Sequence, residues 1–305
     1  MKKGKYLITG CAGFIGSHLV KQLYKKYKLI LVDDLSEGRK VNLPQQVRNN
    51  LIKKKIQNIN FKKIKNLKGI IHLAAQSSVP LSIKDFLSSS TNNITSSFKV
   101  FEIAKKFSIP VIYASSSAIY GDLPIGNDNK SKFSISSPYA QDKLTLEDYA
   151  KMMFKVYNIS SIGLRFFNVY GPKQNANSPY SAVIPIFIDR MKKNLPVTIN
   201  GGRQTRDFIF INDIIKIIQI SMKKSQINKI NDVFNVGTGR SININTLFHI
   251  IKKKIPNNSK IIKRPLDKFD PKKSSGNFEK LKKNLLNKKF NFTKLEEGIS
   301  KTIIN

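Results

Sequence analysis

Tyr139 and Lys143 stand four residues apart in Ser137-Pro138-Tyr139-Ala140-Gln141-Asp142-Lys143. On a helix that spacing puts a phenol and an ammonium on one face, about a turn from each other. A lysine charge beside a phenol favours the phenolate and is expected to lower a pKa that is otherwise about 10. Tyr139 then becomes a candidate acid/base near neutral pH. Tyr-x-x-x-Lys also recurs by chance, and it gains meaning from its company. A serine cluster, Ser115-Ser116-Ser117, ends an apolar run further up the chain, and Gly10-Cys11-Ala12-Gly13-Phe14-Ile15-Gly16 spaces three glycines near its start. Missing side chains there would let the backbone approach a pyrophosphate, with the free N–H groups of a helix beginning near Phe14 pointing at it. Asp33, at the end of the next apolar run, is placed to bind both ribose hydroxyls and to repel a 2′-phosphate, which favours NAD over NADP.

The elements around these residues must first be separated from a rival reading. Lys2, Lys3 and Lys5 followed by Tyr6-Leu7-Ile8-Thr9-Gly10-Cys11 also look like an export signal ending at a lipid-modified cysteine. A signal needs an apolar stretch of roughly 7–15 residues, and Tyr6 to Thr9 is too short. Strand, glycine turn and helix fit better. No other apolar stretch approaches the roughly 20 residues that span a bilayer. A single cysteine, Cys11, excludes an internal disulfide and a cysteine-built zinc site, and a cytoplasmic protein is expected. Cys11 itself reads as a small filler. His72 reads as an interior histidine, His18 and His249 lack partners at metal spacing, and no metal is expected. The net charge of +35 raises nucleic-acid binding as an alternative of another class. The lysines run along the whole chain with an excess of Asn and Ile, however, and no nucleic-acid module appears; they read as solvated faces.

Leu29–Val32, Gly69–Ala75, Pro110–Ser116 and Ile159–Phe167 are nearly unbroken apolar runs separated by helical patterns through Phe98–Ala104 and Leu144–Tyr157. Strands of that kind alternating with helices predict an α/β fold, a Rossmann-type doubly wound parallel sheet covered on both faces. After Asn168 the rhythm becomes irregular. The expected division is a nucleotide-binding domain over 1–168, with 207–235 returning to it through Phe208–Ser221. A smaller substrate lobe is expected over 169–206 and 236–305.

With these motifs on the page, the chain resembles the extended short-chain dehydrogenase/reductase family and, within it, nucleotide-sugar 4-epimerases. The resemblance is carried nearly end to end by "TGCAGFIGSHLV", "VDDLSEGR", "IHLAAQSSVPLS", "YASSSAIYGD", "SPYAQDK", "LRFFNVYGP", "SAVIP", "RQTRDFIFINDI", "FNVGTGRS" and "LLNKKFNFTKLEEGI". It implies Ser116, Tyr139 and Lys143 as the catalytic trio and NAD as cofactor. The cofactor would lie against Gly10, Gly13, Phe14, Ile15, Gly16, Asp33, Asp34, Leu35, Ile56, Leu73, Ala74, Ala75, Asn93 and Phe166, besides Tyr139 and Lys143. A UDP-sugar would meet Ser77, Val79, Ser116, Ser117, Tyr139, Asn168, Ala182, Val183, Arg206, Arg264 and Ser274. It further implies a homodimer through the helices containing Phe98 and Leu144, and epimerisation at C4 through a transient 4-keto sugar.

Two departures mark this chain. The family usually carries an acidic residue near the adenine, where this sequence offers Lys55 and Ile56. Near the C-terminus "RPLDKFDPKKSSGN" displaces the family's arginine, leaving Arg264 or Lys268 as the basic candidates and, aligned through Asp270, Ser274 at the position that sets the sugar-pocket width. A small residue there implies room for a 2-N-acetyl group. Dehydratases and decarboxylases of the same fold are the alternative enzymes. They carry Asp or Glu directly after the Ser/Thr, where this chain has Ser117.

Overall fold

The computed structural model describes residues 4–61, 64–176, 181–267 and 270–304. Lys2, Lys3, Lys268 and part of the predicted loop (177–180) lie outside the described residues. Numbered along the chain, the elements begin β1 (Lys5–Thr9), α1 (Phe14–Leu23), β2 (Lys28–Asp33), β3 (Leu51–Lys53), β4 (Leu67–His72), α2 (Val79–Lys84), α3 (Phe86–Phe107), β5 (Val111–Ser116), β6 (Gly126–Asn127), α4 (Pro138–Tyr157) and β7 (Ser161–Phe166). They continue β8 (Asn168–Tyr170), α5 (Val183–Lys192), β9 (Val197–Asn200), β10 (Thr205–Phe210), α6 (Ile211–Ile227), β11 (Asn231–Val236), β12 (Ser241–Asn243), α7 (Ile244–Lys254), β13 (Ile261–Arg264), β14 (Lys273–Ser274), β15 (Gly276–Asn277), α8 (Glu279–Asn284) and α9 (Leu295–Ile304).

Seven strands form one parallel sheet in the order β11-β7-β5-β4-β1-β2-β3. From β1 the chain moves outward through β2 and β3, then restarts on the other side at β4. This doubly wound order puts a topological switch between β1 and β4, and ligands of such sheets bind beyond the carboxyl ends of the strands at that point. Thr9 and His72 are the last residues of the two strands and stand in register, so the glycine turn after Thr9 and the Leu73-Ala74-Ala75 loop emerge side by side. Buried side chains of β1, β4 and β5 pack with Val100, Phe101 and Ala104 of α3 and Leu146 and Ala150 of α4 in one core cluster. Among the described residues no helix is long and apolar enough to cross a membrane.

The chain divides into two compact units: the first holds 1–116, 137–165 and 215–234, and the second holds 117–136, 166–214 and 235–305. Besides small shifts at 166–168 and 235, these bounds differ from the expected ones in two longer segments, each for a pairing reason. Segment 117–136 joins the second unit because its β6 pairs with β15 (Gly276↔Gly126). Segment 207–214 does so because β10 pairs with β8, β12 and β14. The segment Phe208–Ser221 therefore does not return to the main sheet as a strand. It is β10 running into α6, and the strand that returns is β11.

Candidate active site

The glycine turn shows what each glycine is for. Gly10 has φ +66°, and a Cβ there would lie 2.6 Å from the Ala74 nitrogen; one at Gly16 would lie 2.0 Å from the Gly10 carbonyl oxygen. Packing alone demands both. Gly13 differs, because its backbone is extended (φ −71°, ψ 179°) and an added Cβ would meet only the Gly10 oxygen, at 3.4 Å. The fold does not need glycine at 13. The open space it leaves, at the N-terminus of α1 with no acidic residue in the first turn, suits a phosphate. Phe14, Ile15 and Gly16 begin that helix.

Asp33 holds the turn from below. Its Oδ2 accepts the Ala12 N–H at 2.8 Å and its Oδ1 the Leu35 N–H at 2.9 Å, and Leu35 sits at φ +63°. Burial raises the Asp33 pKa, and the backbone donors oppose the shift. Gly38, absent from the expected site, is needed here too: a Cβ on it would stand 3.0 Å from Asp33 Oδ1. Asp34 caps Ser36 rather than facing the turn. An open phosphate cradle beside a carboxylate with lone pairs to spare suits a dinucleotide, so these residues fit NAD. Cys11 is fully buried and its thiol is pushed up by burial, which suits a filler and not a nucleophile.

α4 explains the second half of the site. Ser137 caps it by accepting the Ala140 N–H at 3.2 Å, Pro138 occupies its first turn, and Asn158 ends it in the left-handed conformation. Its inward stripe is Tyr139, Ala140, Asp142, Lys143, Leu146, Glu147, Ala150 and Met153. The apolar spacing is ordinary for a helix; four ionisable side chains within it are not, because buried charge is costly unless paired. Glu147 is paired: Ser115 Oγ donates to its Oε1, and Arg165 of β7 grips both oxygens at 2.9 and 2.6 Å. Lys143 Nζ donates to the Ala114 carbonyl at 2.9 Å and lies 5.7 Å from the centre of the Tyr139 ring. The Tyr139 hydroxyl is hydrogen-bonded to Ser116. The Tyr139 N–H, an otherwise unpaired donor of the first turn, is taken by Ser82 Oγ at 3.2 Å.

One electrostatic expectation is corrected by this geometry. The Tyr139 pKa is raised, not lowered: burial dominates, the Ser116 hydrogen bond opposes it, and the Asp142 charge adds to it. Burial also pulls Lys143 down to about 8 against the charges of Asp142 and Glu147. In the protein alone the phenol is thus held protonated, and the lysine sits close to its titration near neutral pH. His72 is an interior histidine bonded to Thr9 at 2.8 Å and is driven down to about 3, first by burial and then by Lys143.

The loop after β4 is tied to both halves. Leu73 and Ala74 donate to Thr9. Gln76, after Ala75, exchanges two hydrogen bonds with the Asn93 side chain of α3. Asn93 also donates to Asp142 at 2.9 Å. Ser77 lies in the same loop, and Val79 opens α2, where Ser82 donates to its carbonyl at 2.8 Å. Ile56 is buried in the core cluster.

The remaining expected residues belong to the second unit. Asn168 of β8 donates to the Asp207 carbonyl of β10, and Arg206 of β10 is buried and ion-paired with Asp270. Ser274 pairs with Arg206 across the β10–β14 strands. Arg206, Asp270 and Ser274 are thereby brought together. Arg264 is not among them; it is exposed on β13, opposite Asn200 in a different sheet. Ala182 immediately precedes α5, with no capping hydrogen bond from its side chain, and Val183 starts the helix. Phe166 ends β7, and Ser117 begins a 3-10 turn to Tyr120.

Sequence reasoning missed Gly38, Ser82, Asp142 and the Glu147–Arg165 pair. The signal for Glu147 was present: it stands eight residues after Tyr139 and four after Lys143, on the stripe where only apolar residues are expected.

Comparison with known proteins identifies the family. The chain is 35% identical over 260 residues, 82% of each chain, to a Methanocaldococcus jannaschii protein provisionally named a UDP-glucose 4-epimerase. It is 32% identical over 77% of its length, and 58% of the relative, to a dTDP-D-glucose 4,6-dehydratase of Dictyostelium discoideum. Among solved structures, a UDP-N-acetylglucosamine 4-epimerase of Methanobrevibacter ruminantium, in complex with UDP-N-acetylmuramic acid, superposes with a TM-score of 0.91 at 36% identity, covering 100% of this chain and 98% of that one. The model of the NAD dependent epimerase/dehydratase family matches residues 6–237, which include the glycine turn, Asp33 and the Tyr139–Lys143 helix; the chain belongs to this family of NAD-dependent enzymes.

Proposed function

We propose that the protein epimerises C4 of a UDP-hexose or UDP-N-acetylhexosamine. The observation that carries this reading is the Ser116–Tyr139–Lys143 group, in which Tyr139 and Lys143 are buried and Ser116 half-buried, with no carboxylate at the position after Ser116. Tyr139 takes up the proton of the sugar 4-hydroxyl at its Oη and later returns it. Ser116 hydrogen-bonds the same oxygen and steadies the alkoxide-like charge. Lys143 places a positive charge beside the phenol and holds the cofactor ribose. Bound NAD supplies the hydride acceptor that lets C4 be oxidised and reduced again, and a positive charge that favours the phenolate. Asn168, Val183 and Arg206 bind the nucleotide. Holding the sugar by its diphosphate leaves the ring free to present its other face, so the substrate is inverted without net oxidation. Removal of water or of carbon dioxide would need a further acid/base group, and Ser117 is a poor one.

Ser274 supports the N-acetyl substrate. It stands beside Arg206 in the β10–β14 pairing, and its small side chain leaves volume that a phenol ring would occupy. UDP-N-acetylglucosamine and UDP-N-acetylgalactosamine should interconvert, alongside UDP-glucose and UDP-galactose. Ser274→Tyr should remove the N-acetyl activity and spare the plain hexoses, a steric form of specificity. An unchanged preference in Ser274→Tyr, followed by product analysis, overturns the pocket assignment.

The enzyme is proposed to act as a homodimer. The Phe98 ring of α3 meets the Tyr149 ring of α4 at a tilt of 57°, centroids 4.5 Å apart, and both are exposed, as are Met152, Val156 and Tyr157. A second copy would cover this face. Sedimentation equilibrium should give twice the chain mass, and Tyr149→Glu should give the chain mass.

A further inference from the structure

Tyr139 is held at both ends of the residue. Its hydroxyl is hydrogen-bonded to Ser116 of β5, and its backbone N–H donates to Ser82 Oγ of α2 at 3.2 Å. A helix leaves the N–H groups of its first turn without carbonyls behind them, and α4 serves its own almost throughout. Pro138 has no N–H. Ser137 Oγ accepts from the Ala140 N–H at 3.2 Å, and the Ser137 carbonyl accepts from the Gln141 N–H at 3.1 Å. The N–H of Tyr139 is the donor of that turn that goes to a different element.

The acceptor it finds is a fixed one. Ser82 is fully buried, and its hydroxyl has a single proton to give. That proton goes to the Val79 carbonyl at 2.8 Å, so what faces Tyr139 is a lone pair whose direction is set by α2. α2 is anchored in turn. Ser78 Oγ accepts from the Leu81 N–H at 3.1 Å, and the Ser78 carbonyl accepts from the Gln76 side chain at 3.1 Å. Further along α4, Asp142 accepts from Asn93 at 2.9 Å and Glu147 is gripped by Arg165. Those contacts hold the body of the helix, whereas Ser82 holds the turn that carries the phenol.

We propose that Ser82 is a positioning residue for Tyr139, fixing the first turn of α4 against α2 and so keeping the phenol oxygen in line with Ser116 and the reacting hydroxyl. The proposal rests on the reading of Tyr139 as the acid/base. Ser82→Ala deletes the acceptor and leaves the other anchors of α4 in place, so the helix should persist with its first turn loosened. A displacement of about 1 Å is enough to cost about a hundredfold in rate.

The test is a double-mutant cycle read beside a spectrum. Ser82→Ala should lower kcat by about ten- to a hundredfold, but should cost nothing further in a Tyr139→Phe background, because no phenol oxygen remains to be misplaced. NMR of ζ-13C-tyrosine-labelled protein, with the Tyr139 resonance assigned by Tyr139→Phe, should show that resonance moved or split in Ser82→Ala. Ser82→Cys, of nearly the same size and with a weaker acceptor, should fall between wild type and Ser82→Ala, and it carries the same test should Ser82→Ala fold poorly. An equal loss of rate in both backgrounds, or an unmoved Tyr139 resonance in a folded variant, overturns the proposal. A resonance that moves in a protein that epimerises no sugar leaves Ser82 as the positioning residue and removes the proposed function instead.

Discussion

Tyr139→Phe is expected to lower kcat by about 10²–10⁴-fold, the usual contribution of a positioned acid/base group, while NAD binding is retained. The substitution removes one oxygen. It leaves the ring in its buried slot and the backbone N–H on Ser82 Oγ, and Lys143 keeps its bond to the Ala114 carbonyl. Folding should therefore be close to unchanged, with Ser116 losing one partner. The proton of the 4-hydroxyl has no comparable acceptor in Ser116, whose hydroxyl cannot act as a base near neutral pH. Steady-state turnover with a UDP-sugar, set beside NAD binding by fluorescence or calorimetry, checks both halves of the expectation. Substantial retained turnover would remove Tyr139 from the chemistry, and loss of NAD binding would mean the ring positions the cofactor instead.

Glu147→Gln is expected to be the most destabilising single change considered, costing about 3–5 kcal/mol, because it breaks a buried ion pair by removing one partner's charge. The bidentate geometry and the burial of both partners place the pair in that class. It is not a surface bridge, for which the effect would be about 0–1 kcal/mol. Ser115 would lose a charged acceptor as well. The double change Glu147→Leu with Arg165→Met should recover much of the loss, since an apolar pair of similar volume often replaces a buried ion pair at little cost. Urea unfolding of the unmodified protein and the two variants, followed by circular dichroism, is the measurement. A Glu147→Gln loss below 1 kcal/mol would contradict the account of how α4 is anchored.

The large sheet was legible because buried parallel strands read as apolar runs, and the runs at Leu29–Val32, Gly69–Ala75, Pro110–Ser116 and Ile159–Phe167 each overlap a strand of the main sheet. Phe208–Ser221 was misread for the same reason. β10 is as apolar as a strand of the main sheet, but its partners β8, β12 and β14 are distant in sequence and too short to announce themselves. The assignment of 117–136 to the second unit depends on one pairing of two-residue strands, β6 with β15, which no local pattern encodes. In the site, residue types and spacing brought the glycine turn, Asp33, Tyr139, Lys143 and a serine cluster into view, and the family resemblance singled out Ser116 from that cluster. The protonation of Tyr139 was not legible, because spacing gives proximity to Lys143 but not depth of burial, and depth sets the sign. Arg264 was selected by its place in the sequence. Strand pairing carries it to β9, while Arg206 and Ser274 meet on β10 and β14.

The central claim is that C4 is inverted with nothing lost from the sugar. Incubating the protein with UDP-N-acetylglucosamine, and separately with UDP-glucose, in deuterated water, followed by mass spectrometry and NMR of the products, tests it most directly. The account predicts the C4 epimer at unchanged mass, with no solvent deuterium bound to carbon, because the hydrogen removed from C4 returns to C4. A product lighter by one water, or deuterium fixed on a sugar carbon, would contradict it and identify the enzyme as a dehydratase of its family.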